Sequence, residues 1–246
     1  MSKKGIDVSH WDADIDWSEV ANDGIQFAFA KATEGETFQD SKFEQNFQSM
    51  KENNISANAY HVFRMTSTPE GQLNNIVNTL KKADFNPVKN KLAVSATGSI
   101  CEGGRTTKCD DPTKHTNTER AENLHSLLTQ LDEKGYSPIV YASPKTWDDF
   151  YTQEEYNFSN HPLWVAHWTE KKAPLIPKNW KDAGKSYDYW NYSSQGKVKG
   201  IDGDVCLDKT PQNPIAQNFG EIKESFLNLS LNFENLENIF SQDILL

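Results

Sequence analysis

No stretch of this 246-residue chain approaches the roughly 20 consecutive apolar residues that a membrane-spanning helix needs. The start, Met1-Ser2-Lys3-Lys4, runs directly into an apolar segment without an h-region, so no ordinary signal peptide is expected. The corresponding locations are the cytoplasm, or export by lysis or a dedicated secretion machine. Positive charge is also short. Against 35 Asp and Glu stand 25 Lys and Arg, a formal charge of −10, which repels nucleic-acid phosphates and gives no pull toward anionic membranes. Cysteine is scarce, with three residues. Cys101 and Cys109 bracket a loop rich in Gly, Thr and Lys, which reads either as a local disulfide in an oxidising space or as two free thiols. Zinc held there with His115 fits no common ligand spacing, and no metal or cofactor is expected.

Aromatic residues are plentiful: seven Trp, eight Tyr and thirteen Phe. Large rings are a main source of buried area, and at strand ends they are also what sugar rings stack on. The length suffices for one large α/β domain or two small ones. Short apolar runs at Gly5–Val8, Phe27–Lys31, Ala57–Phe63, Leu92–Ala96, Ile139–Ala142, Leu163–His167 and Tyr187–Tyr192 read as strands. Helical patterns over Ser41–Asn53, Pro69–Lys82 and Thr118–Lys134 lie between the early ones; in the last, Ala121, Leu124, Leu127, Leu128 and Leu131 share a face. Such alternation implies a parallel sheet. The later connections shorten, so the fold expected is α/β, an irregular barrel with fewer helices in its second half.

The expected division is a barrel over residues 1–212 and a helical tail over 213–246. In the tail, Phe219, Ile222, Phe226, Leu229, Phe233, Leu236 and Phe240 follow steps of three and four, the pattern of an amphipathic helix. It reads as a helix packing on its own barrel, or as a docking or self-association surface over residues 219–240.

Cleaving a glycosidic bond takes one carboxylic acid to protonate the leaving oxygen and a second carboxylate to stabilise or attack the cation-like carbon, or to activate water. In a parallel barrel such groups sit at the C-terminal ends of strands. Asp7 occupies such a position at the end of the first strand. The words around it are Gly5-Ile6-Asp7-Val8-Ser9, Phe29-Ala30-Lys31-Ala32-Thr33-Glu34-Gly35, Ala59-Tyr60-His61-Val62-Phe63-Arg64, Ile139-Val140-Tyr141-Ala142-Ser143, Leu163-Trp164-Val165-Ala166-His167-Trp168, Trp190-Asn191-Tyr192-Ser193-Ser194 and Gly200-Ile201-Asp202-Gly203-Asp204-Val205-Cys206-Leu207-Asp208.

In these words, in their order and in their spacing, residues 4 to 210 closely resemble the glycoside hydrolase family 25 lysozymes, the Chalaropsis-type N-acetylmuramidases. The resemblance implies an irregular TIM-like barrel with a groove for the peptidoglycan glycan strand, cleavage of the β-1,4 bond between N-acetylmuramic acid and N-acetylglucosamine, and no metal. Residue by residue, Asp7 falls on the family's first active-site Asp. Ser95 and Thr97 fall on the Asp and Glu of its Asp-x-Glu pair, that Glu being the general acid, and Cys206 falls on its last Asp. Tyr60, His61, Tyr141, Trp168, Trp190 and Tyr192 fall in the words that line the sugar subsites. Arg64 and Lys31 read either as contacts to polar sugar groups or as ion pairs with Glu34.

A Ser or Thr hydroxyl neither carries negative charge nor protonates a leaving group near neutral pH, and a thiol of ordinary pKa stays mostly neutral. General acid catalysis alone is worth about 10²–10⁴ in rate. Other acids lie nearby: Glu102, Asp110 and Asp111 after the fourth strand, and Asp202, Asp204 and Asp208 around Cys206. They read as solvated loop acids, too far from a geometry that tolerates little more than ~1 Å of error. Cys206 as a nucleophile with His61 or His167 as base is a further, weaker reading. The leading expectation is a glycan-binding protein with impaired or absent muramidase activity. The alternatives are an active muramidase, in which Asp7 works with a displaced acid, and a structural or partner-docking module acting through the tail.

Overall fold

The computed structural model describes residues 1–12, 14–96 and 114–212. Its strands and helices follow in the order β1 (Lys4–Val8), α1 (Trp17–Asn22), β2 (Phe27–Glu34), β3 (Phe38–Gln39), α2 (Phe43–Glu52), β4 (Ser56–Val62), α3 (Pro69–Lys82), β5 (Leu92–Ser95), α4 (Asn117–Glu133), β6 (Ile139–Ala142), α5 (Pro144–Phe150), β7 (Leu163–Ala166), α6 (Lys178–Asp182), β8 (Tyr189–Gly196) and β9 (Val205–Lys209). Helix starts are written locally. Thr68 caps α3 ahead of Pro69, Thr116 and Glu119 form a capping box on α4, and Ser143 caps α5 ahead of Pro144. Thr97, the loop acids Glu102, Asp110 and Asp111, both cysteines of the Cys101–Cys109 loop, and the tail with its 219–240 stripe lie outside the described residues.

Eight strands close a barrel in the order β1-β2-β4-β5-β6-β7-β8-β9, because β1 pairs with both β2 and β9; β3 is a short outer addition to β2. Pairing is parallel from β1 round to β8, whereas β9 runs antiparallel to both its neighbours. This corrects the TIM-like expectation: the ring is closed, but its last strand is reversed and no helix lies between β8 and β9. The shortening of helices late in the chain is present in α5 and α6, of seven and five residues.

Strand alternation sorts side chains into two cores. Ala28, Ala30 and Ala32 of β2, with Val94, Val140 and Val165, face outward and pack under the helices against residues such as Phe47, Leu80 and Leu128. Phe27, Phe29, Ala93, Ile139 and Trp164 face inward, joined by Tyr60, Tyr141 and Tyr189. These rings fill the barrel, with Phe29 stacked on Trp164 at 4.3 Å and Tyr141 edge-on to it at 4.6 Å. Gly5 has a structural reason: a Cβ there would lie 2.3 Å from the Phe27 ring, so the missing side chain makes room for the barrel floor. The floor leaves a cavity at the C-terminal strand ends, where the inward-facing residues become polar.

Candidate active site

A cavity of about 180 Å³ at the C-terminal strand ends is lined by Asp7 of β1, Tyr60 of β4, Ser95 of β5, and Tyr141 and Trp164 of β6 and β7. Tyr141 is shared with a larger, mostly apolar hollow of about 450 Å³ that includes His167, Trp168 and Leu175. Trp168 is 61% exposed, so its ring face is open to a ligand.

A chain of hydrogen bonds with assignable directions runs beneath the cavity. The Trp168 indole N–H only donates, and it reaches Asn191 Oδ1 at 2.6 Å. That fixes the amide, so Asn191 Nδ2 donates to Asp7 Oδ2 at 2.7 Å. On the far side, Trp164 Nε1 donates to Asp208 Oδ1 at 2.9 Å. The Asp7 and Asp208 carboxyls are themselves hydrogen-bonded, an arrangement that two carboxylates make only by holding a proton between them. Burial, then the charge of Asp12, pushes Asp7 up to about 7, against hydrogen bonds from Asp208, Asn191 and Cys206. Burial and the charge of Asp7 drive Asp208 well above the carboxylate range.

Asp208 corrects the sequence reading. It is 1% exposed and sits on β9, paired with Gly5 of β1 and Asn191 of β8, rather than in a solvated loop. Cys206 and Asp208 are two apart on one strand, so both face the barrel interior, and Cys206 is in register with Asp7. Asp202 and Asp204 are exposed, the latter paired with Lys197 at 2.8 Å. Burial, with the charge of Asp7, pushes the Cys206 thiol up, which keeps it neutral and removes it as a nucleophile.

Tyr60, Tyr141 and Trp168 line the two hollows, and Ser95 sits in the deeper one. His61 does not. It lies on the opposite face of β4 from Tyr60 and is fully buried, with Nδ1 2.8 Å from Thr33 Oγ1 and Nε2 3.0 Å from Gln72 Oε1. Gln72 Nε2 donates to the Arg64 and Ser67 carbonyls, so its Oε1 accepts, and His61 carries its proton on Nε2. Burial lowers His61 to about 4, leaving it a neutral core residue. Trp190 is also buried, at 1% exposure, donating to the His167 carbonyl, and the half-buried Tyr192 shares with it the Lys209 ammonium. Period-two alternation along β8 sets Trp190 outward and Asn191 inward, so Asn191 is the residue of that word that reaches the site. His167 Nδ1 accepts the Leu175 N–H at 3.0 Å.

Glu34 takes Lys31 Nζ at 2.6 Å and Arg64 Nη2 at 2.6 Å. Burial opposes its charge, but the hydrogen bonds from Lys31 and Arg64 outweigh it and hold the carboxyl below its usual range. Two further acids stand near Asp7. Asp12 accepts the Ser9 N–H at 2.7 Å, and Asp40 accepts from His10 Nδ1 at 2.6 Å and from the Lys42 N–H. Both are engaged in holding the loops after β1 and β3.

The sequence profile of Glycosyl hydrolases family 25 matches residues 6–201. The uncharacterized protein YegX of Escherichia coli K12 is 31% identical over 209 residues, covering 82% of this chain and 66% of YegX. Lysozyme M1 of Streptomyces globisporus is 28% identical over 211 residues, covering 84% of this chain and 67% of that protein. The chain therefore spans about two thirds of the length of these relatives. The bacterial lysozyme from Streptomyces coelicolor has the same fold, with a TM-score of 0.71 at 24% identity over 86% of this chain and 93% of that one. A family 25 glycosyl hydrolase from Bacillus anthracis gives 0.67 at 23% identity over 86% and 89%.

Proposed function

Because this chain belongs to the glycosyl hydrolases of family 25, we propose that it binds the glycan strand of peptidoglycan or a related N-acetylated polysaccharide, and that its muramidase activity is impaired or absent. One observation carries the reading. Asp7 is the only carboxylate among the described residues lining the deep cavity, and Ser95 stands where the second strand-end acid belongs. Tyr60, Tyr141 and the open Trp168 face leave a surface suited to sugar rings, with Asn191 and Asp7 as polar anchors.

Asp208 gives some support to a second reading, an active muramidase that cuts the MurNAc-β-1,4-GlcNAc bond with a displaced acid. Distance argues against it. Acids that flank a scissile bond stand about 5–5.5 Å apart for retention or about 6.5–9.5 Å for inversion. Two carboxyls within hydrogen-bonding reach of each other lie closer than either, and Asp208 is buried and is not among the described residues that line the cavity.

The test compares the natural chain with a version carrying Ser95→Asp, Thr97→Glu and Cys206→Asp. Co-sedimentation with purified peptidoglycan reads binding, chromatography of released muropeptides reads cutting, and circular dichroism checks that both proteins fold. The natural chain is expected to sediment with the polymer and to release muropeptides at least ~100-fold more slowly than the restored one, in line with the loss of a general acid. Comparable release by the natural chain would overturn the lost activity. Failure to sediment would overturn the glycan binding. Trp168→Ala is expected to weaken retention about tenfold, or ~1.4 kcal/mol.

A further inference from the structure

We propose that Asp208 is the proton-carrying partner of Asp7: a carboxylic acid rather than a carboxylate, whose Oδ2–H donates to Asp7 and leaves Asp7 as the cavity's hydrogen-bond acceptor.

The argument begins with donors and acceptors. Asp208 Oδ1 accepts from the Trp164 indole, which can only donate, so Oδ1 is already engaged and Oδ2 is the oxygen left to carry the proton. Asp208 Oδ2 is buried, and among the described residues no donor reaches it. A carboxylate oxygen left bare in that position would bear the full desolvation cost of an unsatisfied charged acceptor. A hydroxyl there resolves the deficit by donating to the one acceptor beside it, the Asp7 carboxyl. Asp7 in turn accepts Asn191 Nδ2, whose orientation is locked by Trp168. Every hydrogen bond from Trp164 to Trp168 then has a defined direction, and both carboxyls have partners.

The charges around the pair point the same way. Among the described residues, Asp12 in the turn after β1, Tyr60 of β4, Tyr141 of β6, Tyr192 of β8 and Cys206 of β9 are the titratable groups that face it. Neither Asp7 nor Asp208 forms an ion pair with Lys or Arg among the described residues. With no cation among the described residues to balance two negative charges, a shared proton is the available compensation, and the pair bears one net negative charge above neutrality. Asp208 is thus a positioning residue. It sits two residues along β9 from the position where Cys206 has replaced a family acid, so the strand still delivers a carboxyl to the barrel interior, one step deeper.

For a glycan, this means that the deep cavity offers one anionic acceptor with a fixed lone pair, suited to an amide N–H such as that of an N-acetyl group or to a sugar hydroxyl. This last step rests on the glycan-binding reading; the proton assignment itself does not.

The experiment uses the unliganded full chain, so it is independent of whether a glycan binds. Carboxyl carbon shifts of Asp7 and Asp208 are followed by NMR from pH 4 to pH 9 in the natural protein and in Asp208→Asn. Asparagine reproduces the proposed species: its Oδ1 accepts from Trp164 and its Nδ2 donates to Asp7. The expected result is that Asp208 stays protonated through neutrality while Asp7 titrates near 7, and that in D208N Asp7 still titrates within about one unit of that value. Had Asp208 been an anion that raised Asp7 by repulsion, D208N would drop Asp7 by two units or more toward the ordinary range, and that result would overturn the proposal. An Asp208 ionised at pH 8 in the natural protein would overturn it equally. A purely structural role, accepting the Trp164 N–H and nothing more, would leave Asp208 ionised and so fails the same measurement.

Discussion

Two acidic centres of this barrel, on neighbouring strands, solve the burial of a carboxylate in opposite ways. At the end of β2, Glu34 is flanked by Lys31 and by Arg64 from just beyond β4, which overcome its desolvation and hold it ionised. At the closure of the ring, Asp7 meets Asp208 with no cation between them among the described residues, and burial pushes both upward. The first arrangement satisfies its charges and makes no demand on solvent or ligand. The second leaves a strained acceptor at the floor of an open cavity. Groups that cost stability in the free protein are those with something to gain from a ligand, which is why perturbed acids concentrate at binding and catalytic sites.

The largest test of this contrast is to break the satisfied centre. Arg64→Ala removes one cation from Glu34 and an N–H donor pair from its carboxyl, and is expected to cost about 3 kcal/mol in denaturant unfolding, as loss of one partner of a largely buried pair does. The opposite result is expected at the strained centre. Asp7 has a folded value near 7 against 3.8 when unfolded, so the stability linked to its proton is complete below pH 3.8 and is lost as pH rises through 7. Asp7→Asn removes that loss. At pH 8 the variant is expected to be more stable than the natural chain by about 2 kcal/mol, with the gain vanishing toward pH 4. If D7N were destabilising at pH 8, the carboxyl pair would be a satisfied structural unit and the contrast would collapse.

Much of this arrangement is legible in the sequence, and the failures have one physical cause. Strands β1, β2 and β4 to β8 and helices α2 to α4 carry apolar residues at the expected period, because their outward faces pack under helices. Strand β9 is hard to read in the sequence: it follows Asp202-Gly203-Asp204, and its residues Val205-Cys206-Leu207-Asp208 alternate with the polar residues pointing in. A site at a barrel mouth inverts the usual pattern, and the signal that remains is the pair of outward apolar residues, Val205 and Leu207, with Gly196 of β8 leaving room for the Leu207 side chain. The same inversion governs β4 and β8. Tyr60 and Asn191 face in, so their neighbours His61 and Trp190 face out into the packed core. Family words identify the segment that carries a site, and period-two alternation decides which residue of the word reaches it.

The smallest effect sharpens the comparison by sign. His61, beside the satisfied Glu34 centre, has a folded value near 4 against 6.5 when unfolded. Its contribution is therefore present above pH 6.5 and lost as pH falls through 4, the reverse of Asp7. Between pH 6.5 and 4 the two trends oppose, so the natural chain should show a shallow stability profile over this range despite two strongly shifted groups. His61→Gln removes the histidine titration while retaining an amide able to bond Gln72, at a packing cost of about 1 kcal/mol at pH 7.5. The variant should then gain on the natural chain by ~1 kcal/mol or more as the pH falls to 5, in melting curves recorded at both values. A constant difference across the range would mean that His61 titrates in the folded protein as it does in the unfolded chain, and that burial does not hold it neutral.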